Sequence, residues 1–374
     1  MSLGEHVPKL RFPGFEGEWE ERTLEKCCRC FDNKRKPISA ELREKGEVPY
    51  YGANGIQDYV KDFIFNGKFL LLAEDGGHFD EYSKKPIAQY ITGKSWVNNH
   101  AHVLSGKDNC LTEYIYFSLI HRDIRKYING TCRAKLNQED MWDIKIHVPQ
   151  VKLQEKISTF LFLIEERIAA QRKLVELLKK YKRGLLREVF EENIDGKSCP
   201  FSEIACRRNE KISQTKNSKL DCIELEHIEP ETGMCLGNVP LRIQNSLKNL
   251  CKPNDIIFGK LRPYLRKFLF SEFECAVSSE TWILTASDGI YPKFLFYLIQ
   301  SEPFMRAANV SSGTKMPRSE WSNVANAKFY IPNAKKQKSI ADCFSLIDVH
   351  LQKNQKSLSA MEVFKRGLLQ QMFI

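Results

Sequence analysis

The sequence lacks the long apolar runs of a membrane protein. No window of the chain approaches eighteen apolar residues, which excludes a membrane-spanning helix. The first residues do not combine a charged segment with an apolar core, so we expect a cytoplasmic protein with no membrane partner. The hydrophobic content is 42% and the aromatic content 11%, which are typical of a globular chain. A length of 374 residues is enough for two or three domains, each with its own core.

The twelve cysteines lack paired spacing. In a chain that is not secreted, such cysteines are interpreted as reduced thiols. Cys27 and Cys30 form one C-x-x-C step, but a structural zinc ion needs four ligands, and no second pair follows. Ordinary thiols are therefore the favoured interpretation, and zinc is the alternative.

Common catalytic motifs are also missing. Gly93-Lys94-Ser95 and Gly196-Lys197-Ser198 end like a phosphate-binding loop, but Ala88 and Glu191 occupy the positions where that loop needs its first glycine. The chain has neither a G-x-G-x-x-G fingerprint nor the Asn/Asp-Pro-Pro-aromatic motif expected of an amino-methyltransferase.

Two short polar stretches could carry chemistry but have simpler interpretations. His100 and His102 alternate on a predicted strand, where a polar surface pair is favoured over a metal site because no third ligand is near. Glu74-Asp75 ends a predicted strand, as nuclease carboxylates can, but the two glycines that follow favour a turn. The sequence therefore predicts a protein that is not an enzyme, with no catalytic residues, metal or cofactor.

What the sequence does contain is a duplication. Lys182-Arg183-Gly184-Leu185-Leu186 recurs as Lys365-Arg366-Gly367-Leu368-Leu369, 183 residues later. The same shift pairs Pro149 with Pro332, and further pairs follow without a gap over about forty residues, a period far above that of solenoid repeats. These further pairs are Lys152 with Lys335, Gln154 with Gln337, Ile157 with Ile340, Leu163-Ile164 with Leu346-Ile347, and Lys173 with Lys356.

The net charge of +10 is concentrated in the two repeated segments. Residues 149–190 carry ten Lys/Arg against five Asp/Glu, and residues 331–374 carry seven against three. Nine of the ten net charges therefore lie there. A basic surplus favours nucleic acid as a partner, but a solvated helix exterior explains it equally well.

Each repeated segment also has a heptad pattern, with apolar residues at steps of four and three. This pattern predicts two long helices that pack on each other as an antiparallel coiled coil, with two ordinary core helices as the alternative. Gln171 and Asn354 are the polar members, a residue type that commonly fixes register. The predicted seam consists of Ile157, Leu161, Ile164, Ile168, Gln171, Val175 and Leu178 in the first copy, and Ile340, Phe344, Ile347, Leu351, Asn354, Leu358 and Met361 in the second.

The segments before the two helices are predicted to be α+β mixtures with a common order of elements. In the first, a buried strand at Lys68–Ala73 and an extended stretch at Trp96–Leu104 precede a helix at Glu113–Tyr127. The second repeats that order with less identity. We therefore predict two domains, 1–148 and 193–331, and two spacer helices, 149–192 and 332–374.

The order of motifs resembles the specificity subunit of type I restriction–modification systems over essentially the whole chain. The motifs are Pro8-x-Leu10-Arg11-Phe12-Pro13-x-Phe15 with Trp19, Tyr51-Gly52-x-Asn54-Gly55, Asp255–Pro263, and the duplicated Pro-x-x-x-x-Gln-x-x-Ile … Lys-Arg-Gly-Leu-Leu helix. The chain departs from its own duplication at Lys315-Met316-Pro317-Arg318, which stands where the first copy has Cys132–Asn137.

The resemblance implies two target-recognition domains, each of which reads one half of a bipartite, asymmetric site in double-stranded DNA. It implies that the helix pair separates them and docks two modification (methyltransferase) subunits, which bring the S-adenosylmethionine chemistry, and that restriction subunits join further out. The alternative is a non-catalytic coiled-coil scaffold that binds protein partners and contacts DNA without specificity.

Candidate DNA contacts are basic residues for phosphates and polar residues for base edges. In the first half they are Lys34, Arg35, Lys36, Asn54, Lys84, Lys85, Asn98, Asn99, Arg133 and Lys135. In the second half they are Lys260, Arg262, Tyr264, Arg266, Lys267, Ser278, Ser279, Lys315 and Arg318.

Overall fold

The computed structural model describes residues 7–130, 134–192, 196–213, 219–312 and 316–373. The chain divides into two compact units. Unit 1 comprises Met1–Ala170 and Ser359–Ile374, and unit 2 comprises Gln171–Leu358. The four-part division into 1–148, 149–192, 193–331 and 332–374 stays a prediction.

Unit 1 is built on a six-stranded sheet in the order β2-β7-β5-β6-β3-β4, in which the β3–β6 pair is parallel. A separate antiparallel pair joins β1 to β8. The strands are β1 (Glu20–Thr23), β2 (Cys28–Cys30), β3 (Lys45–Gly52), β4 (Gly55–Val60), β5 (Phe65–Ala73), β6 (Ala88–Val97), β7 (Ala101–Gly106) and β8 (Lys145–Val148). The helices that start in unit 1 are α1 (Leu24–Cys27), α2 (Thr112–Leu119), α3 (Gln138–Trp142) and α4 (Val151–Arg187).

Unit 2 has a four-stranded sheet, β10-β18-β15-β16, a five-stranded sheet, β11-β14-β17-β12-β13, and the pairs β9–β21 and β19–β20. The strands are β9 (Lys197–Pro200), β10 (Ala205–Arg207), β11 (Lys211–Ile212), β12 (Asp221–Ile223), β13 (Val239–Pro240), β14 (Lys248–Cys251), β15 (Ile256–Gly259), β16 (Phe268–Phe270), β17 (Cys275–Val277), β18 (Thr281–Ala286), β19 (Ser311–Ser312), β20 (Arg318–Ser319) and β21 (Lys328–Ile331). The helices that start in unit 2 are α5 (Phe201–Ile204), α6 (Pro292–Leu298), α7 (Glu302–Asn309), α8 (Trp321–Asn326) and α9 (Ala334–Met372).

Short helical turns complete the secondary structure. They are Asp32–Lys34, Ala40–Leu42, Phe79–Glu81, Arg125–Tyr127, Leu225–His227, Leu241–Ile243, Pro263–Leu265 and the wider turn Glu188–Glu192 that follows α4. The α+β class is confirmed. No helix in the described part of the chain combines the length and the apolar character that a membrane crossing needs.

Two sequence-based boundaries were wrong. The helix predicted at Glu113–Tyr127 ends at Leu119, and a separate short turn forms at Arg125–Tyr127. The extended stretch predicted at Trp96–Leu104 is two strands, because a tight turn at residues 98–100 reverses the chain between β6 and β7. Asn98 makes that turn, since its side-chain oxygen accepts a hydrogen bond from the amide of His100 at 2.8 Å.

The pair of long helices is confirmed and is antiparallel. Within unit 2, Gln171 donates to the side chain of Asn354 at 2.8 Å, and further along α4 the ammonium of Lys182 lies 2.7 Å from the carboxylate of Asp348, earlier in α9. Within unit 1, Lys365 pairs with Glu165. The residue numbers rise along one helix as they fall along the other, which is the order that an antiparallel pair requires.

All fourteen predicted seam positions are buried or half-buried. The fully covered positions are Ile157, Leu161, Ile168, Val175, Phe344 and Leu351, and the half-buried ones are Ile164, Gln171, Leu178, Ile340, Ile347, Asn354, Leu358 and Met361. Two of the basic residues counted in the repeated segments do not lie on a solvated helix exterior. The lysines of both Lys-Arg-Gly-Leu-Leu motifs turn inward, where Lys182 meets Asp348 and Lys365 meets Glu165.

The repeated glutamine has a structural role that its spacing did not reveal. Buried Gln154 accepts a hydrogen bond from the amide of Leu111 at 2.9 Å and donates to the carbonyls of Asn109 and Pro149, both at 2.8 Å. It therefore ties the start of α4 to the loop before α2.

Gln337 repeats this arrangement in unit 2. It accepts from the amide of Tyr291 at 2.8 Å and donates to the carbonyls of Gly289 and Pro332 at 3.2 and 3.0 Å. The repeated proline thus supplies one acceptor in each unit, and the Pro-x-x-x-x-Gln spacing is the spacing of a helix start that is bonded to its neighbouring loop.

Gln154→Ala is expected to destabilise unit 1 by about 2–4 kcal/mol, because a buried amide and two carbonyls would lose their partner. Urea unfolding at neutral pH measures the change. Gln337→Ala should have a similar effect on unit 2, whereas Gln352→Ala, at an exposed position of α9, should change stability by less than about 0.5 kcal/mol. Equal stabilities of all three variants would show that the bonded loops contribute little.

Candidate nucleic-acid interface

In unit 1, several candidate residues meet where the strands of the large sheet end. We call this surface the polar edge of unit 1. It is formed by the β3–β4 turn with Asn54, by residues 74–76 after β5, by the turn at residues 98–100, and by Lys135. Asn54 donates to the carbonyl of Gly76 at 2.8 Å, and the amide of Glu74 donates to the carbonyl of His100 at 2.9 Å. Asp75 and Lys135 form a backbone bridge that completes the edge.

An open cleft of about 510 Å³ lies in this edge and is lined by Asn54, Gln57, Asp75 and His100. Gln57 and His100 were missed as candidates, although Gln57 lies only two residues after the Tyr51-Gly52-x-Asn54-Gly55 motif. Such amides and imidazoles can donate to and accept from base edges, which is the chemistry that direct readout uses.

A charged network lies beneath the polar edge. His102 is 1% exposed and contacts Asp32 at 2.6 Å through Nδ1, and its Nε2 lies 2.9 Å from the carbonyl of Leu136. Arg35 contacts Glu74 at 2.6 Å and Asp32 at 3.1 Å. The interpretation of His100 and His102 as a polar surface pair was therefore wrong, because β7 starts only at Ala101 and His102 points into the core.

Asp32, Glu74 and His102 offer ligand atoms within 4.8 Å of one another, which is a donor set that a divalent cation could use. Two cations already compensate these carboxylates, since Arg35 contacts both and Lys135 lies 3.1 Å from Glu74. We therefore interpret the cluster as an ion-pair network that braces the polar edge.

This network should make unit 1 sensitive to acid. Burial alone would raise the pKa of Asp32, but the hydrogen bond from His102 and the nearby positive charges lower it below its ordinary value. A lowered carboxyl pKa contributes stability above about pH 4, and this contribution is lost as the pH falls through the folded-state pKa. Asp32→Asn is expected to destabilise unit 1 at pH 7 and to reduce the further loss below pH 4, as measured by urea unfolding at several pH values. An unchanged pH profile in this variant would contradict the assignment.

Unit 2 repeats the frame of the edge with different side chains. The polar edge of unit 2 comprises Lys260–Arg262 after β15, the turn at Ser278–Glu280 between β17 and β18, and Arg318. The amide of Lys260 donates to the carbonyl of Glu280 at 3.1 Å, as that of Glu74 does to His100 in unit 1. Leu261 and Arg318 form a backbone bridge that corresponds to the bridge between Asp75 and Lys135.

The side chains on this second edge are held by an ion pair that sequence reasoning missed. The guanidinium of Arg318 lies 3.0 and 3.2 Å from the two carboxylate oxygens of Glu280. The hydrogen bond from Arg318 lowers the pKa of Glu280. The only sequence signal for Glu280 as part of this edge was its position next to the candidates Ser278 and Ser279.

The remaining candidates fall into three groups. Exposed at or beside the two edges are Lys34, Lys36, Asn99, Lys135, Arg262, Tyr264, Ser279 and Arg318. Engaged in internal contacts are Arg35, Asn98, Arg266, Lys267 and Ser278: Arg266 pairs with Glu302, and Lys267 donates to the carbonyl of Leu225 at 2.5 Å. Lys84 and Lys85 are exposed in the loop after Phe79–Glu81, where Lys85 pairs with Glu81 at 2.6 Å. Arg133 and Lys315 lie outside the described residues, and the DNA contacts as a whole remain predictions.

Comparison with known proteins agrees with this architecture. Residues 16–180 match the family model described as the type I restriction modification DNA specificity domain. A putative type I restriction enzyme specificity subunit of Haemophilus influenzae is 38% identical over 145 residues, a match that covers 38% of this chain and 36% of that relative. The type I restriction enzyme MjaVIII specificity subunit of Methanocaldococcus jannaschii is 21% identical over 94% of this chain and 91% of its own length.

The likeness extends to solved structures. A type I restriction–modification S subunit from M. genitalium superimposes with a TM-score of 0.66 at 15% identity, and the match covers 98% of this chain and 99% of that one. A second structure, described as bearing on complex assembly and conformational transition of the type I R-M system, matches with a TM-score of 0.52 at 13% identity, over 97% of this chain and 98% of that one. These structural matches establish the fold that the chain shares with both proteins. In these comparisons the chain is similar to type I restriction–modification specificity subunits, and residues 16–180 match the DNA specificity domain of that family.

Proposed function

We propose that this chain is the DNA-recognition subunit of a type I restriction–modification complex and that each polar edge reads one half of a bipartite, asymmetric site. The observation that carries the proposal is the equivalence of the two edges. Both place a tight turn, a strand end and a basic residue on the same backbone frame, but the side chains differ: Asn99 and Lys135 in one, Ser279 and Arg318 in the other. A conserved frame with different side chains suits two readers of different sequences.

The chain itself contributes no catalysis in this proposal. Its helix pair docks two modification subunits, which bring the methyl-transfer chemistry, and restriction subunits join the complex. The exposed apolar side chains of the two helices support a docking role, because apolar residues on a helix exterior favour a protein partner. These side chains are Leu163, Leu174, Leu177, Tyr181, Leu346, Val349, Val363 and Phe364.

Mapping of methylated bases in the genome, in cells with and without this chain, tests the function. We expect a bipartite motif whose two halves lose methylation together when the chain is removed. A methylation pattern that does not depend on the chain would contradict the proposal. Methyl transfer or DNA cleavage by the purified chain alone would contradict the assignment of a non-catalytic subunit.

A further inference from the structure

A groove of about 320 Å³ lies in unit 1 beside the repeated Lys-Arg-Gly-Leu-Leu motif of α9. Arg366, Leu369 and Phe373 form one wall, and Phe117 and His121, from the end of α2 and the turn after it, form another. Leu369 and Phe117 are buried, which gives the groove an apolar floor, whereas Arg366 is exposed at its rim.

The corresponding position in unit 2 is almost closed. The same two motif residues, Arg183 and Leu186, line a space of only about 20 Å³, together with Glu231 and Thr232. A turn at residues 229–234 therefore fills in unit 2 the volume that is open in unit 1.

Acidic residues hold this turn in place. Glu231 lies 3.0 Å from the guanidinium of Arg183, and its amide donates to the carbonyl of Arg266 at 2.9 Å. Glu229 accepts a hydrogen bond from Gln355 of α9 at 3.1 Å and another from the hydroxyl of Thr232 at 2.8 Å. In unit 2, a compact turn of the chain itself therefore occupies this helix surface, and its carboxylate pairs with the arginine of the Lys-Arg-Gly-Leu-Leu motif. This turn indicates the kind of ligand that the equivalent surface of unit 1 can accept.

The open groove has the charge that such a ligand needs. The structure shows no ion pair for Arg366 among the described residues. His121 donates through Nδ1 to the carbonyl of Tyr82 at 2.6 Å, which leaves Nε2 for a ligand. Burial lowers the pKa of His121 against the effect of its hydrogen bond to Tyr82, and the nearby charges of Lys365 and Arg366 also lower it, which favours a neutral imidazole. The positive charge at the groove is therefore the exposed guanidinium of Arg366. The carboxylate of Asp123, also at the groove, is already paired with Arg125 at 2.6 Å.

We propose that this groove binds an acidic turn of a modification subunit, with a carboxylate on Arg366 as Glu231 is on Arg183. The inference rests on the proposed function, which supplies the partner, and adds an asymmetry to it. The groove beside the motif in unit 1 is open to a partner, whereas the equivalent position in unit 2 is already occupied by the turn at residues 229–234. The apolar floor favours a folded turn over a nucleic-acid phosphate, because a phosphate has no apolar surface that could pack on Phe117 and Leu369.

The first test uses a peptide of this chain as the probe. A fluorescent peptide with the sequence of Ile228–Leu236, with Cys235→Ser to prevent oxidation, is titrated with the full chain and followed by anisotropy. We expect saturable binding that weakens at least tenfold in Arg366→Glu and in a peptide with Glu231→Gln. A peptide with Glu231→Lys should bind the Arg366→Glu chain more tightly than the unmodified chain. Absence of this charge reversal would overturn the carboxylate–arginine contact.

The second test uses the modification subunit of the same system. Its affinity for the chain should fall at least tenfold in Arg366→Glu and stay unchanged in Lys26→Glu, an exposed charge reversal on α1. Thermal unfolding establishes that both variants fold. Equal affinities would overturn the inference and leave the proposed function intact. A wild-type chain that does not bind the modification subunit would contradict both, and a loss of DNA affinity in place of subunit affinity would assign the groove to nucleic acid and overturn the inference.

Discussion

Asp348→Ala should destabilise unit 2 by about 3–5 kcal/mol, because it would leave a buried ammonium without its counter-charge. The side chain of Lys182 is 4% exposed and lies 2.7 Å from the carboxylate of Asp348, which also accepts a hydrogen bond from the hydroxyl of Tyr297 at 2.9 Å. Few single substitutions in a surface helix have effects of this size. Urea unfolding at pH 7 measures the loss.

The pH dependence of this variant provides a further check. Burial lowers the pKa of Lys182, while the pairing with Asp348 opposes that effect. Removal of Asp348 should lower the folded-state pKa of Lys182 further. Between that pKa and the unfolded value of about 10.4, the folded protein binds fewer protons than the unfolded chain, so the stability of the variant should rise as the pH rises. The deficit of Asp348→Ala relative to the wild type should therefore shrink towards pH 10, and a constant deficit would contradict the assignment.

A matched double variant separates the pair from the packing around it. Lys182→Met with Asp348→Leu removes both charges and keeps apolar volume, so it should recover most of the stability that Asp348→Ala loses. If the double variant were no more stable than Asp348→Ala, the loss would come from the packing of α9 and not from an unpaired charge. Glu165→Ala, at the more exposed equivalent pair with Lys365, should cost less than Asp348→Ala.

The second large effect is expected on DNA specificity. In each polar edge, the first residue of the tight turn is buried and makes the turn, and the second is exposed. Asn98 accepts from the amide of His100 at 2.8 Å, and Ser278 accepts from that of Glu280 at 3.4 Å. The exposed residues are Asn99 and Ser279. We therefore expect these two side chains to reach base edges.

Asn99→Ala should weaken discrimination at one base pair of one half-site by about 1–3 kcal/mol, roughly a tenfold to hundredfold change. The other half-site should be read as before. Ser279→Ala is the reciprocal control and should relax only the opposite half-site. Binding competition between duplexes with single-position changes, measured with the assembled complex at a fixed salt concentration, would show both effects. Relaxation of both half-sites by one substitution would contradict the division of reading between the two units.

The outcome for the helices shows what periodicity can and cannot predict. Every seam position from Ile157 to Met361 is at least half-buried, because a sustained heptad spacing has one efficient way to cover its apolar face. The charge count did not distinguish Lys182 and Lys365 from the exposed lysines, because composition does not reveal an acidic partner 166 to 200 residues away in sequence.

The polar edges, in contrast to the helices, could be predicted only in small part from the sequence. The motif Tyr51-Gly52-x-Asn54-Gly55 indicated one turn of the edge, but the edge itself is assembled from segments that are far apart in sequence. Neither the network around His102 nor the pair of Arg318 with Glu280 has a local pattern. Some candidates make turns or ion pairs and others are exposed. This difference depends on which strand ends lie side by side in the folded sheet, and the sequence alone does not show that.

Unit 1 consists of two stretches of chain that lie on either side of unit 2 in the sequence, and this affects the order in which the two units can fold. Its core includes Leu368, Leu369 and Met372, and the amide of Leu10 donates to the carbonyl of Gln371 at 2.9 Å. Leu368, Leu369, Gln371 and Met372 are synthesised after all of Gln171–Leu358. Unit 1 can therefore complete its core only after all of unit 2 has been synthesised, and unit 2 can finish folding first, which reverses the usual vectorial order.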